Sequence, residues 1–287
     1  MHEMVLRQQK ESTMVMSAKR HFHSFIKYMT IKKAINIFVS IFEMSLKRSF
    51  LFSHPFYMRI EVCPHCNLHC TGCLLGGANL VESNPSHRKE KVMSLALFKD
   101  SIRDFLPYLV KVNLYDEGEP LLNKNIPKMV DHLHRNKIAT CISSNFSFKI
   151  TDEYMKELLS CGLDRLIVAI DGATQESYAE YRKGGDLSLV VSNLERLISM
   201  KKRIDSSLQI ELQFLEFPHN KNDRDTLRDL AIRLGVERFS VIEDCSTEGW
   251  EGKRFEGTEE ERRQRGCYYL WVATTSPFKV GDKLLKC

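Results

Sequence analysis

Between residues 56 and 242 the sequence switches from strand-like to helix-like runs and back, six times over. Phe56–Val62, Val110–Tyr115, Ile138–Ser143, Arg165–Ile170, Leu208–Leu215 and Arg238–Ile242 read as strands, short and rich in β-branched and aromatic residues. Helical runs lie between them. They are Ser94–Leu106 with Ser94 as N-cap, Ile126–Arg135, Thr151–Ser160 stopped by Cys161-Gly162, Thr174–Tyr181, Leu187–Met200, and Arg224–Leu234 stopped by Gly235. Such alternation implies a parallel sheet, because parallel neighbours need a long crossover and a helix is the usual one. Six units predict an α/β fold, an open or partly closed barrel. In folds of this kind the chemistry gathers in the loops at the C-terminal ends of the strands.

The chain has 287 residues, 43% hydrophobic and 28% charged, which suits one large domain with small additions and excludes a disordered or collagen-like chain. The net charge of +5 is local: residues 1–60 hold ten Lys/Arg against three Asp/Glu, while the remainder holds 32 against 34. No nucleic-acid surface is expected of that balance. Residues 1–17 read as a loose leader with no signal-peptide core. Ile31–Lys47 reads as an amphipathic helix with a wide apolar face, too short and interrupted to span a bilayer. Two readings stand for it: packing on the main domain, which is preferred, or docking on a membrane surface with help from the basic residues.

The nine cysteines are unevenly placed, and four fall in the eleven residues Cys63-Pro64-His65-Cys66-Asn67-Leu68-His69-Cys70-Thr71-Gly72-Cys73. The odd count and the uneven spacing argue against a disulfide scaffold and for a reducing cytoplasm, with thiols used for metal. Soft thiolates gathered on one loop favour zinc or iron–sulfur. A zinc ribbon separates its two Cys-x2-Cys pairs by a dozen or more residues; only three lie between Cys66 and Cys70. An iron–sulfur cluster tolerates ligands crowded on one loop. A six-unit α/β body is oversized for a simple electron carrier.

Cys66-x3-Cys70-x2-Cys73, with Ile60-Glu61 before it and Asn67-Leu68 inside it, resembles the signature of the radical S-adenosylmethionine (SAM) superfamily. The resemblance implies a partial (β/α)6 TIM-like barrel. It implies that Cys66, Cys70 and Cys73 bind three irons of a [4Fe-4S] cluster and that SAM chelates the fourth. It further implies reductive cleavage of SAM to methionine and a 5′-deoxyadenosyl radical that abstracts hydrogen. Cys63 is expected to lie at the strand end as an ordinary half-buried cysteine. Gly72 stands where the family prefers an aromatic residue over the adenine.

The other strand-end loops extend the likeness. Glu117-Gly118-Glu119-Pro120 is similar to the family's Gly-Gly-Glu-Pro segment, with Gly118 allowing close backbone approach and Glu119 accepting from the SAM ammonium. Ser143-Ser144-Asn145 stands where the family often has Thr-Asn-Gly, so Ser144 is a candidate SAM contact; a helix-entry turn is the other reading. Asp171-Gly172 and Tyr178-x2-Tyr181-Arg182 resemble a segment of the SPASM-associated branch. Asp171 is a candidate polar contact and Arg182 a candidate partner for the SAM carboxylate, against a surface salt bridge. Gln209, Glu211 and Gln213 give the fifth strand one polar face, a candidate cavity lining. Cys141 and Cys161 read as core.

The expected organisation is a leader and amphipathic helix over residues 1–53, a core barrel over 54–244, and a partial SPASM-like extension over 245–287. That extension opens at Cys267-Tyr268-Tyr269 and contains a hairpin around Gly281-Asp282, with Cys245, Cys267 and Cys287 as its cysteines. The expected cofactors are a [4Fe-4S] cluster and SAM. The expected partners are an external one-electron donor such as flavodoxin or ferredoxin, and a substrate read first as a peptide and next as a small molecule or sugar. An inactive or electron-carrying Fe-S protein is the alternative from another class.

Overall fold

A computed structural model of the protein describes residues 27–46, 50–71, 73 and 92–243, and the backbone of 279–280 and 283–284. Six parallel strands follow one another in sequence order across one sheet: β1 (Tyr57–Arg59), β2 (Lys111–Asn113), β3 (Ala139–Ser144), β4 (Arg165–Ala169), β5 (Gln209–Leu215) and β6 (Arg238–Ile242). β1 and β6 are not paired, so the sheet is an open barrel, as the alternation predicts. The crossovers carry α2 (Leu95–Ile102), α3 (Ile126–Arg135), α4 (Asp152–Ser160), α5 (Gln175–Tyr181), α6 (Leu187–Ile204) and α7 (Arg224–Leu234). Ser94 caps α2 by accepting from the Leu97 N–H at 3.2 Å, and Thr151 caps α4 by accepting from Tyr154. Gly235 ends α7 with φ +76°, a conformation that favours glycine.

Alternation along the strands sorts the two sheet faces. Met58, Val112, Ile142, Leu166, Val168, Ile210, Leu212 and Phe214 point to the helices and join the main core with Phe98, Met129, Leu158 and Leu194. Tyr57, Lys111, Asn113, Arg165, Glu211 and Ser240 fall at the alternate positions, on the inner face. β1 and β2 are shorter than expected. The Ile60 N–H still reaches the Asn113 carbonyl at 2.8 Å, but beyond it the chain turns around the Glu61 carboxylate.

The leader helix, α1 (Ile31–Ser45), forms as expected and packs on the main domain, but with the opposite face. Its buried residues are Lys33, Asn36, Ser40 and Glu43, and its apolar residues face outward. Hydrogen bonds explain the inversion. Asn36 pairs with the His54 backbone in both directions at 2.8 Å, and Glu43 accepts from Phe52 N–H and the Ser53 hydroxyl at 2.7 Å each. Lys33 donates to the Lys137 carbonyl. Among the described residues no helix is long and apolar enough to cross a membrane. Of the expected C-terminal extension, only a two-stranded antiparallel hairpin, Lys279–Val280 with Lys283–Leu284, is described; it flanks Gly281-Asp282. The leader, Gly72, Cys245, Cys267 and Cys287 lie outside the described residues.

Candidate functional site

The loop after β1 and the loop after β2 are locked together at the C-terminal end of the sheet. One Glu61 carboxylate oxygen accepts from the Cys63 N–H at 3.1 Å, and the other from Glu117 and Gly118 N–H at 2.8 and 2.9 Å. The Glu119 N–H donates to the His65 carbonyl at 2.8 Å. Gly118 passes so near the cysteine loop that a Cβ there would lie 1.8 Å from the Cys63 carbonyl oxygen. The close approach expected of Gly118 is therefore to this protein's own backbone. Cys63 is buried in this junction. Glu61 anchors three N–H groups, and its only trace in the sequence is its place two residues before Cys63.

The other three cysteines face a different neighbourhood. Leu68, Cys70, Tyr181 and Phe217 form a small apolar cluster, separate from the main core, against which Cys66, Cys73 and Leu215 pack. Backbone bonds fix the loop there: His69 N–H to Lys183 carbonyl at 2.9 Å, and Thr71 N–H to Tyr181 carbonyl at 3.0 Å. Two donors reach the sulfurs. Asn145 Nδ2 lies 3.6 Å from Cys66 Sγ and donates to Asn67 Oδ1 at 3.0 Å, and Arg182 Nη1 lies 4.0 Å from Cys70 Sγ. Burial pushes the Cys66 thiol up to about 12 and the Cys70 thiol up as well, with Arg182 opposing the shift at Cys70. Among the described residues no three His, Cys, Asp or Glu side chains already stand at ligand spacing.

Glu119, Ser144 and Asn145 come together, and they are spent largely on one another. Ser144 Oγ and Leu121 N–H donate to one Glu119 oxygen at 2.8 and 3.1 Å, and Asn145 N–H donates to the other at 2.8 Å. Burial raises the Glu119 carboxyl to about 7, against the pull of these donors. The Ser143-Ser144-Asn145 segment is no helix entry, since α4 starts only at Asp152. The next loop carries a buried ion pair. Arg182 Nε donates to Asp171 Oδ2 at 2.5 Å, and the other Asp171 oxygen accepts from Leu215 N–H at 2.7 Å. Asp171 is fully buried and the Arg182 side chain 14% exposed, so the surface-bridge reading does not hold. Asn220, which the sequence reading passed over, supports the pair by donating to the Asp171 and Leu215 carbonyls.

Below these loops the inner sheet face is polar. Asn113 Nδ2 donates to the Tyr57 and Tyr115 hydroxyls at 2.7 and 3.3 Å, while Asn113 Oδ1 is buried without a hydrogen-bond partner among the described residues. Lys111 and Arg165 stand on the same face, and Glu211 pairs with Arg165 and Arg238 and accepts from Ser240. Glu211 is thus a structural acid rather than the open cavity contact its alternation suggested. Gln209 is exposed at the strand start, and Gln213 is half-buried. Cys141 is buried, and Cys161 packs against the core as expected.

Comparison with known proteins gives this arrangement a family. The chain is similar to the probable GTP 3′,8-cyclase of Methanococcus maripaludis, 24% identical over 62% of this chain and 55% of that one. It is also similar to that of Archaeoglobus fulgidus, 30% identical over 48% of this chain and 43% of that one. The chain spans about half the length of these curated relatives. Among solved structures, Streptococcus suis SuiB superposes with a TM-score of 0.57 at 15% identity, covering 80% of this chain and 48% of that one, a likeness of fold. The family model described as the radical SAM superfamily, whose members use a [4Fe-4S] cluster and SAM, matches residues 60–210. That match covers more than half the chain, and the protein belongs to the radical SAM superfamily.

Proposed function

We propose that this chain is a radical SAM enzyme whose cluster is held by Cys66, Cys70 and Cys73. One observation carries the reading: those three thiols share one apolar cluster while Cys63 is held apart in the Glu61–Gly118 junction. The donor set fits three irons and leaves a fourth for SAM. Because burial makes the Cys66 and Cys70 thiols resist ionisation, cluster assembly has to displace their protons and draw the loop together.

When bound, the cluster and SAM supply one-electron cleavage of SAM to methionine and a 5′-deoxyadenosyl radical. The residues do the positioning. Arg182 is held by Asp171 at the edge of the cysteine cluster and presents its guanidinium to the SAM carboxylate. Glu119 accepts from the SAM ammonium with the lone-pair capacity that its three present donors leave. Gly118 and Ser144 set the place of Glu119. The reductant is an external flavodoxin- or ferredoxin-type donor.

A small polar molecule now stands ahead of a peptide as substrate. The inner face offers Tyr57, Asn113, Tyr115 and Lys111, a hydrogen-bonding lining beside the Arg165–Glu211 pair. The names of the curated relatives agree with small-molecule chemistry. We keep residues 54–244 as the catalytic unit and 245–287 as a separate SPASM-like extension without a complete second cluster.

Anaerobic reconstitution with iron and sulfide tests the ligand set. About four irons per chain and a broad visible absorbance are expected of the wild type. Cys66→Ala, Cys70→Ala and Cys73→Ala should each lose both, and Cys63→Ala should keep both. Loss of the cluster in Cys63→Ala with retention in any of the other three would overturn the assignment.

A further inference from the structure

The inverted packing of α1 leaves an apolar surface with nothing described upon it. Ile31, Ile35, Phe38 and Phe42 follow the i, i+4, i+7, i+11 rule and form one stripe. They are 82%, 58%, 71% and 53% exposed. The strap after the helix adds Phe50 and Phe52, packed edge-to-face at 5.8 Å and likewise exposed. A row of exposed aromatic and branched residues of this size marks an interaction site on a soluble protein. The stripe cannot roll inward without breaking the Asn36–His54 and Glu43–Ser53 hydrogen bonds that hold the polar face to the body.

Charge selects the occupant. From residue 12 to residue 60 the chain has eight Lys/Arg and a single acid, Glu43. Glu43 and Lys33 are both buried and turned inward, Lys27 pairs with Asp164 and Arg59 with Asp116, leaving Lys32 and, in the sequence, Lys19, Arg20, Lys47 and Arg48 as the remaining cations. Lys32 is exposed on α1 itself, and in the sequence Lys47 and Arg48 follow directly after the helix. A symmetric contact between two copies would bring two such cationic segments together. An anionic lipid surface meets the same segment with the opposite sign, and about 1 kcal/mol per nearby Lys/Arg is typical of that attraction.

Orientation agrees. The residues that anchor α1 lie just before the strands: His54 before β1, Tyr108 before β2 and Lys137 before β3; Lys27, just ahead of α1, pairs likewise with Asp164 before β4. The helix therefore lies across the N-terminal end of the sheet, opposite the cysteine loop. A surface bound at α1 leaves the candidate active-site mouth open to solvent.

We infer that α1 and the Phe50–Phe52 strap form a monotopic docking surface for an anionic lipid bilayer, entering to the headgroup–acyl boundary without spanning it. The whole chain is tested by sedimentation with vesicles of phosphatidylcholine alone or phosphatidylcholine with phosphatidylglycerol. Pelleting with the anionic vesicles is expected, weakened by added salt, with little on phosphatidylcholine alone. The double variant Phe38→Ser/Phe42→Ser should lower partition about tenfold or more, since each change removes apolar area from the bound face. It should keep the wild-type melting curve, because both side chains are solvent-exposed in the free chain. Equal pelleting of wild type and double variant overturns the inference, as does a wild type that stays in the supernatant with anionic vesicles. In the latter case, a concentration-dependent dimer that the variant dissolves would assign the face to a second copy.

Discussion

Gly118 and Cys63 are in such close backbone contact that a Cβ on the first would stand 1.8 Å from the carbonyl oxygen of the second. This contact couples the segment assigned to SAM to the loop assigned to the cluster. Gly118→Ala should force the two apart, costing about 1–3 kcal/mol as an overpacked site. Its clearest sign should be a lower iron content after reconstitution than in wild type, measured beside a thermal melt. Full iron loading in the variant would uncouple the loops.

Glu61 draws three N–H groups from both loops onto one carboxylate. Glu61→Ala leaves these donors short of a charged acceptor, a loss of about 1–3 kcal/mol. Glu61→Gln keeps the shape but not the charge and should recover part of it. Comparing the two by denaturant unfolding separates the roles; equal, wild-type midpoints for both would show the junction to be held elsewhere.

The buried Asp171–Arg182 pair predicts an asymmetry. Removing Asp171 leaves a buried guanidinium unpaired and should cost about 3–5 kcal/mol. Arg182→Lys keeps the charge but loses the planar fork, so it should fold better than Asp171→Ala yet bind SAM more weakly. Calorimetric titration of SAM onto the reconstituted variants measures the second effect. Wild-type SAM affinity in Arg182→Lys would remove Arg182 from the SAM site.

Glu119 predicts a pH dependence. Its burial raises the carboxyl from 4.5 to about 7 in the folded chain. The folded state then binds more protons than the unfolded one between those values, so the stability linked to Glu119 falls as pH rises through that window. Melts of the metal-free protein should show wild type losing stability relative to Glu119→Gln from about pH 4.5 to about pH 7. A constant difference across that range would show that Glu119 ionises normally.

The alternation of strand and helix was legible because the crossover helices carry apolar stripes and local end signals, as with the Thr151 cap and Gly162 stop around α4. The grouping of Cys66, Cys70 and Cys73 around one apolar cluster was legible because their spacing is short and local. What stayed hidden depends on contacts between distant segments. The periodicity of α1 is symmetric between an apolar face turned in and one turned out, and only the Asn36–His54 and Glu43–Ser53 bonds decide it. The same holds for Glu211, whose alternation places it on the inner face but does not reveal Arg165 and Arg238 beside it. Asn220 gave no signal at all, because its partners are backbone carbonyls brought together by β4 and β5.

A radical SAM enzyme cleaves SAM by one-electron reduction, and this chain should do the same. Anaerobic incubation of the reconstituted protein with SAM and dithionite, followed by chromatography, measures it directly. 5′-Deoxyadenosine and methionine are expected from the wild type and from Cys63→Ala, and neither from Cys66→Ala, Cys70→Ala or Cys73→Ala. A fully cluster-loaded wild type that yields no 5′-deoxyadenosine would contradict it and leave an electron-carrying Fe-S protein in its place.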